Sequence, residues 1–370
     1  MSSGKTDATV WEAPPHTLAK HEILRKYLQR WMPIISSSRF FSGMIYIDGF
    51  SGPGVYLKGE PGSPVVALRV ANSLGYQGSI SLKLIEERAD RVERLKEEIA
   101  KEGTRDGVDV SVLKGRFHET TEELMAQGDL KDYPTFILID PFGFSGIPYS
   151  TISKLMKRRS CECLISFMAD SLNRWLDHPD ESIVSHIEET FGTGKAVDVV
   201  ARDHTEKRVC ALRDLYLEQM QRIAQYCRYF EMKNDRGRVV YYLFFLSNNA
   251  LGFEKMKEAM WAVDPSGTFS FSDATDPNQE VLFSGTDIWL PVVERQLFTE
   301  FEGQLQVSMV AVKKHFNERT IFLEKHLKEA LRRLEESGRI HPHDVKSDGK
   351  KRRKGTFPDT AVLDFSRRIL

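Results

Sequence analysis

The sequence predicts a doubly wound, mostly parallel α/β sheet followed by a small helical domain that closes with a β-hairpin. Two observations carry the first prediction. Apolar β-rich runs alternate with helical periodicity from about residue 43 to residue 170, and glycines or acids stand just after those runs. A third carries the second: from Pro291 the pattern becomes three helices, then two strands around a basic tip.

Taken in order, residues 1–16 (MSSGKTDATVWEAPPH) show no apolar core and are expected to be flexible. Residues 17–32 place Leu18, Ile23, Leu24, Tyr27, Leu28 and Trp31 near helical spacing, and Pro33 is expected to end that entry helix. GMIYIDGF and SISLKLIEE read as buried strands, RADRVERLKEEIAKEG as a solvent-facing helix, and DVSVLK, TFILIDPFGF and CECLISFM as further strands. A helical insertion is expected at about 175–230, with EKRVCALRDLYLEQMQRIAQY as its clearest periodic run. RVVYYLFFLSNN, FEKMKEAMWAV and GTFSFSD supply a strand, a helix and a short strand, completing a domain over 17–285. The remainder, 291–370, reads as a basic winged-helix-like domain.

Composition bounds the function. A chain of 370 residues is long enough for one large and one small domain. Formal charge is nearly balanced, yet from Pro291 onward 17 Lys and Arg face 12 Asp and Glu, leaving 35 against 41 before it. A polyanion is therefore expected to meet the tail first. The four cysteines, at 161, 163, 210 and 227, fit no zinc-ligand spacing, so no metal is expected. Cys161 and Cys163 read as facing opposite sides of their strand. With neither a signal peptide nor an 18-residue apolar run, the protein is expected to be soluble and cytoplasmic.

The chemistry is sought beyond the carboxyl ends of the strands. The first strand delivers Asp48, Gly49, Phe50, Ser51, Gly52, Pro53 and Gly54. Glycines let a backbone approach a ligand, but the phosphate-binding patterns with a lysine, or with three spaced glycines opening into a helix, are missing. An aspartate there repels phosphate at close range. A cation joined to a ribose and an adenine fits better, and S-adenosylmethionine has that composition. Glu86, first after the apolar end of the second strand, is the candidate for the ribose hydroxyls. Phe117, in the run Lys114 to Phe117 after the third strand, is positioned to flank an adenine. VYLKGEPGSP, between Pro53 and Pro64, reads as an insertion lying over the cofactor. The fourth strand delivers Asp140, Pro141, Phe142, Gly143 and Phe144. The Asp140 carboxylate and the Pro141 carbonyl offer two acceptors for an NH2 group, with Phe142 and Phe144 as stacking surfaces. Methyl transfer from a sulfonium needs mainly an in-line approach near about 3 to 3.5 Å and a dry pocket. Lys20 and His21 lie on the entry helix, from which they could reach the cofactor mouth, and read in the first place as ordinary packing or solvent-exposed residues. In the tail, Lys325, Lys328, Arg332 and Arg333 on the last helix, with Lys350, Lys351, Arg352, Arg353 and Lys354 at the hairpin tip, are the candidate phosphate contacts.

DGFSGPG, the strand-end Glu86 and DPFG together resemble the first, second and fourth motifs of Rossmann-like class I S-adenosylmethionine-dependent methyltransferases. More closely, HEILRKYLQRW, YIDGFSGPGVY with GSPVVAL, FILIDPFGF, YYLFFLSNN with MKEAMW, and the tail helices resemble the three-Cys-motif partner proteins, over roughly residues 15 to 345. That resemblance implies a methyltransferase-like domain with an appended helical module and a radical-enzyme-like partner carrying three cysteines. Amino-methylating enzymes of nucleic acids carry D-P-P-Y, whereas here the aromatics are shifted to Phe142 and Phe144. The leading expectation is an S-adenosylmethionine-dependent methyltransferase acting at a nitrogen of nucleic acid. The alternative is a catalytically inactive partner subunit that binds nucleic acid or the three-cysteine protein.

Overall fold

The computed structural model describes residues 8–130, 132–143, 146–175, 181–196, 206–264, 268–274 and 285–366. Met1–Val263 with Ser270–Pro277 form one compact unit, and Asp264–Phe269 with Asn278–Leu370 form a second.

The first unit opens with α1 (Pro15–Ser36), started by the Pro14-Pro15 pair that suits a helix N-terminus. It does not end at Pro33. That residue stands inside the last turn, where the ring forfeits one backbone bond and the Ser36 and Ser37 hydroxyls bond back to the Pro33 and Ile34 carbonyls. The apolar stripe of α1 packs Tyr27 and Trp31 against Phe136 on one face of the sheet.

Eight strands follow: β1 (Gly43–Asp48), β2 (Ser79–Glu86), β3 (Val108–Lys114), β4 (Thr135–Ile139), β5 (Cys161–Phe167), β6 (Tyr226–Lys233), β7 (Val239–Ser247) and β8 (Ser270–Ser272). Their spatial order is β3-β2-β1-β4-β5-β7-β6-β8. All neighbours pair in parallel except at β7, which runs antiparallel to both β5 and β6. The sheet is thus α/β, Rossmann-like and mostly parallel. The order reverses between β1 and β4, so the topological switch point, where such sheets bind ligands, lies beyond Asp48 and Ile139. Buried β1, β4 and β5 carry apolar side chains on both faces, as a sheet covered by helices on each side requires.

Two expectations are corrected. Residues 226–233 are a strand, not part of the helical stretch: Phe230 and Met232 repeat at period two into the core, between polar neighbours that hide the alternation. Cys161 and Cys163 face the same side, because residues two apart on a strand share a face, and both belong to one core cluster with Ile165.

The second unit holds three helices, Gly285–Phe301, Met309–Arg319 and Glu324–Glu336, and a three-stranded antiparallel sheet of β9 (Val307–Ser308), β10 (Ile340–Pro342) and β11 (Val362–Phe365) in the order β10-β11-β9. Ser308 caps its helix by accepting from the Ala311 N–H. Among the described residues no helix is long and apolar enough to cross a membrane.

Candidate functional site

β1 ends in Asp48, whose side chain is wholly buried beneath the following loop. Its Oδ1 accepts from the Phe50 N–H at 3.2 Å and its Oδ2 from the Tyr46 hydroxyl at 3.1 Å. Burial pushes the Asp48 carboxyl up to about 6, against the opposing pull of the Ser63 hydroxyl and the Phe50 N–H. The loop is fastened onto the end of β2: Ser51 N–H donates to the Ile85 carbonyl and Gly52 N–H to Glu86 Oε2, both at 2.9 Å. It turns through positive φ at Gly52 (62°) and Gly54 (77°), a region that favours glycine. From there the 55–62 segment loops out and returns, closed by a bridge between Val55 and Pro61 and by Gly62 N–H donating to the Gly54 carbonyl at 2.8 Å. It leads into helix α2 (Ser63–Ser73).

β4 delivers Asp140 beside this loop. Asp140 Oδ2 is paired with the Lys20 ammonium of α1, while its buried Oδ1 has no hydrogen-bond partner. Burial alone would raise the Asp140 carboxyl; the Lys20 charge and hydrogen bond, with smaller help from the Ser166 hydroxyl and His21, together hold the group below the usual aspartate value. The Lys20 ammonium also lies 5.3 Å from the centroid of the Tyr241 ring on β7. The neighbouring His21 is driven down to about 3 by burial and by Lys20, so it is neutral at physiological pH.

These pieces surround a recess of about 320 Å³. Phe50, Ser51, Gly52, Gly54, Asp140, Pro141 and Phe142 line it, as do Lys20, Trp11, Tyr56, Asp170 and Tyr241. Asp48, Gly49, Glu86 and Phe117 are outside the lining. Asp48 acts from underneath, Glu86 is turned to the chain's own backbone, and Phe117 is buried against the Phe50 ring with centroids 5.7 Å apart. Phe144 lies outside the described residues. The 55–62 segment contributes Val55, Tyr56 and Gly62 to the wall. Lys20 is neither mere packing nor exposed. Its signal in the sequence was a lysine on the apolar stripe of α1, one turn before Ile23 and Leu24. Trp11, Tyr56, Asp170 and Tyr241 carried no comparable signal, because the fold alone brings them to one rim.

In the second unit, Lys325, Lys328, Arg332 and Arg333 lie on the Glu324–Glu336 helix, and Lys350 to Lys354 lie in the connection between β10 and β11. Lys328 pairs with Glu324 at 3.0 Å, Arg332 with Glu329 at 3.2 Å, and Arg333 with Glu294 and Glu329 at 3.8 Å. Arg352 is buried against Glu335 and fastens the connection to the helix. Among the described residues, Lys325, Lys351, Arg353 and Lys354 make no ion pair. No group of three or more His, Cys, Asp or Glu side chains that could hold a metal occurs among the described residues.

No family model and no curated protein matches the sequence. Solved structures are similar to it at low identity. The O-methyltransferase from Bacillus cereus in complex with SAH shares 13% identity over 60% of this chain and 80% of that one, with a TM-score of 0.35. The O-methyltransferase TomG from Streptomyces achromogenes, in complex with SAM, shares 13% over 61% and 79%, with a TM-score of 0.32. Trm1 from Pyrococcus horikoshii with S-adenosyl-L-methionine shares 13% over 97% and 93%, with a TM-score of 0.35.

Proposed function

We propose that the recess beyond β1 and β4 binds S-adenosylmethionine and that the chain transfers its methyl group to a nitrogen of nucleic acid. The observation that carries this reading is the juxtaposition at the switch point. A glycine-rich loop with a buried carboxylate beneath it lies beside the strand end that brings Asp140 and Pro141 to the wall of the same recess. The Phe50–Gly54 loop would hold the methionyl part, Glu86 the ribose and Phe117 the adenine side. Asp140 and Pro141 would accept from the target NH2, and the Phe142 ring would cover it. A base within a duplex would have to be extruded to reach them. Lys325, Lys350, Lys351, Arg353 and Lys354 of the winged-helix-like tail would contact phosphates, and a cytoplasmic setting with reduced thiols suits the free cysteines.

When bound, the sulfonium would supply an already good leaving group. The protein's part is then to hold the acceptor in line, exclude water and keep Asp140 ionised through Lys20.

The pairing of Asp140 with Lys20 favours a second reading, since it occupies one acceptor oxygen. On that reading the chain is a non-catalytic member of the three-Cys-motif partner proteins, docking nucleic acid or the three-cysteine neighbour. Calorimetric titration with S-adenosylmethionine tests the first reading, followed by transfer of a labelled methyl group to total nucleic acid. Binding with transfer that is lost in Asp140→Asn supports the enzyme. Binding with no transfer to DNA or RNA supports the partner subunit.

A further inference from the structure

Glu86 stands where a strand-end acid would hold a ribose, yet its carboxylate is occupied from within the chain. One oxygen accepts from the Gly52 N–H at 2.9 Å and the other from the Arg88 N–H at 2.8 Å. The segment that precedes α1 lies across the same place. Thr9 donates to Asp90 at 2.6 Å, and Arg91 of α3 (Ala89–Glu102) donates to the Ala8 carbonyl at 3.2 Å. The Arg91 guanidinium, in the field of Glu86, lies 4.6 Å from the Trp11 ring centroid and 5.2 Å from that of Phe142. Trp11 meets Phe142 edge-on at 5.0 Å and Tyr56 at 5.7 Å, and its carbonyl accepts from the Leu57 N–H at 2.9 Å. A side chain added at Gly52 would touch the indole at 3.5 Å.

Trp11 is therefore held against the β1 loop, the end of β4, the 55–62 segment and α3, all within the first unit. What stays open is a recess of about 320 Å³, at the small end of ligand pockets, with neither Glu86 nor Phe117 in its wall. We propose that Thr9, Val10 and Trp11 form a strap that covers the nucleoside end of the cofactor site and must lift before a nucleoside reaches Glu86. This rests on the proposed binding of S-adenosylmethionine. Among the described residues the contacts of Thr9 and Trp11 are hydrogen bonds, a cation–π contact and ring edges, each individually weak, which suits exchange.

The test is titration of full-length protein and of Trp11→Gly with S-adenosylmethionine, paired with hydrogen exchange at the Leu57 amide. Releasing the strap should tighten binding by about tenfold, equivalent to about 1.4 kcal/mol. In the unaltered chain, saturating S-adenosylmethionine should speed exchange at Leu57 as its bond to Trp11 breaks. Equal or weaker binding by Trp11→Gly, or unchanged Leu57 protection on saturation, overturns the strap while leaving the cofactor site intact. No binding by either chain overturns the cofactor site, and the strap with it.

Discussion

Asp48 and Asp140 are two strand-end acids driven in opposite directions by what surrounds them. Asp48, buried with only neutral donors, is raised from 3.8 to about 6, so its contribution to stability is complete below about pH 4 and lost as pH rises through about 6. The charged form costs about 3 kcal/mol at neutral pH, and Asp48→Asn should recover part of that. Urea unfolding of both proteins at pH 4.5 and pH 7 checks this, with the gap between them widening at the higher pH. A sulfonium bound above the loop favours the ionised Asp48, so S-adenosylmethionine affinity should rise through the same interval. Asp140 is held low by Lys20, so its stabilisation is present above about pH 4 and lost as pH falls through its depressed value. Lys20→Met should cost about 3 kcal/mol at pH 7, because it strands a charge inside the protein, and less below pH 4. The acids themselves were legible in the sequence, as the first polar residues after apolar runs. Lys20 as the partner was not, since 120 residues separate it from Asp140 and only the packing of α1 on the sheet joins them.

At the scale of elements, α1 is tied to β5 through Glu162, which accepts from the Tyr27 hydroxyl at 2.5 Å and the Ser247 hydroxyl at 2.6 Å. Burial raises the Glu162 carboxyl, partly offset by those donors. Gly252, in the first turn of the helix Ala250–Trp261, abuts the same carboxylate, and a Cβ there would overlap Glu162 Oε1. Gly252→Ala should therefore destabilise the fold by about 2 kcal/mol, although alanine is the better helix former, and thermal unfolding reads the change. Tyr27→Phe should cost about 1 to 3 kcal/mol by leaving a buried acceptor unsatisfied. Alternating strands and helices up to β5 were readable because β1 and β4 are apolar runs and β2 and β3 alternate apolar with polar residues at period two. β6 was not, since Arg228, Glu231 and Lys233 break up its apolar content and the pairing with β7 supplies what propensity does not. The strap over Glu86 was equally hidden: ATVWEAPP has no periodicity, and its place depends on Arg91 and Leu57 far along the chain.

Across the whole molecule, charge is divided between two units of different construction. The basic tail was visible as a run of residues, but several of its cations serve the fold: Arg352 is fixed to Glu335, and Arg332 and Arg333 are paired along their helix. The candidates for phosphate contact narrow to Lys325, Lys350, Lys351, Arg353 and Lys354. Changing Lys351, Arg353 and Lys354 together to glutamine should weaken nucleic-acid binding and flatten its salt dependence by about two to three in slope. Arg352→Gln should instead lower stability. Filter binding across a salt series, with thermal unfolding alongside, separates the two effects. Everything in the first unit converges on the switch point between β1 and β4. A crystal structure of the protein with S-adenosylhomocysteine tests that most directly. The account predicts its sulfur between the Phe50–Gly54 loop and Asp140, its ribose at Glu86 and Trp11 moved aside; a ligand bound elsewhere, or a recess still vacant at saturating concentration, would contradict it.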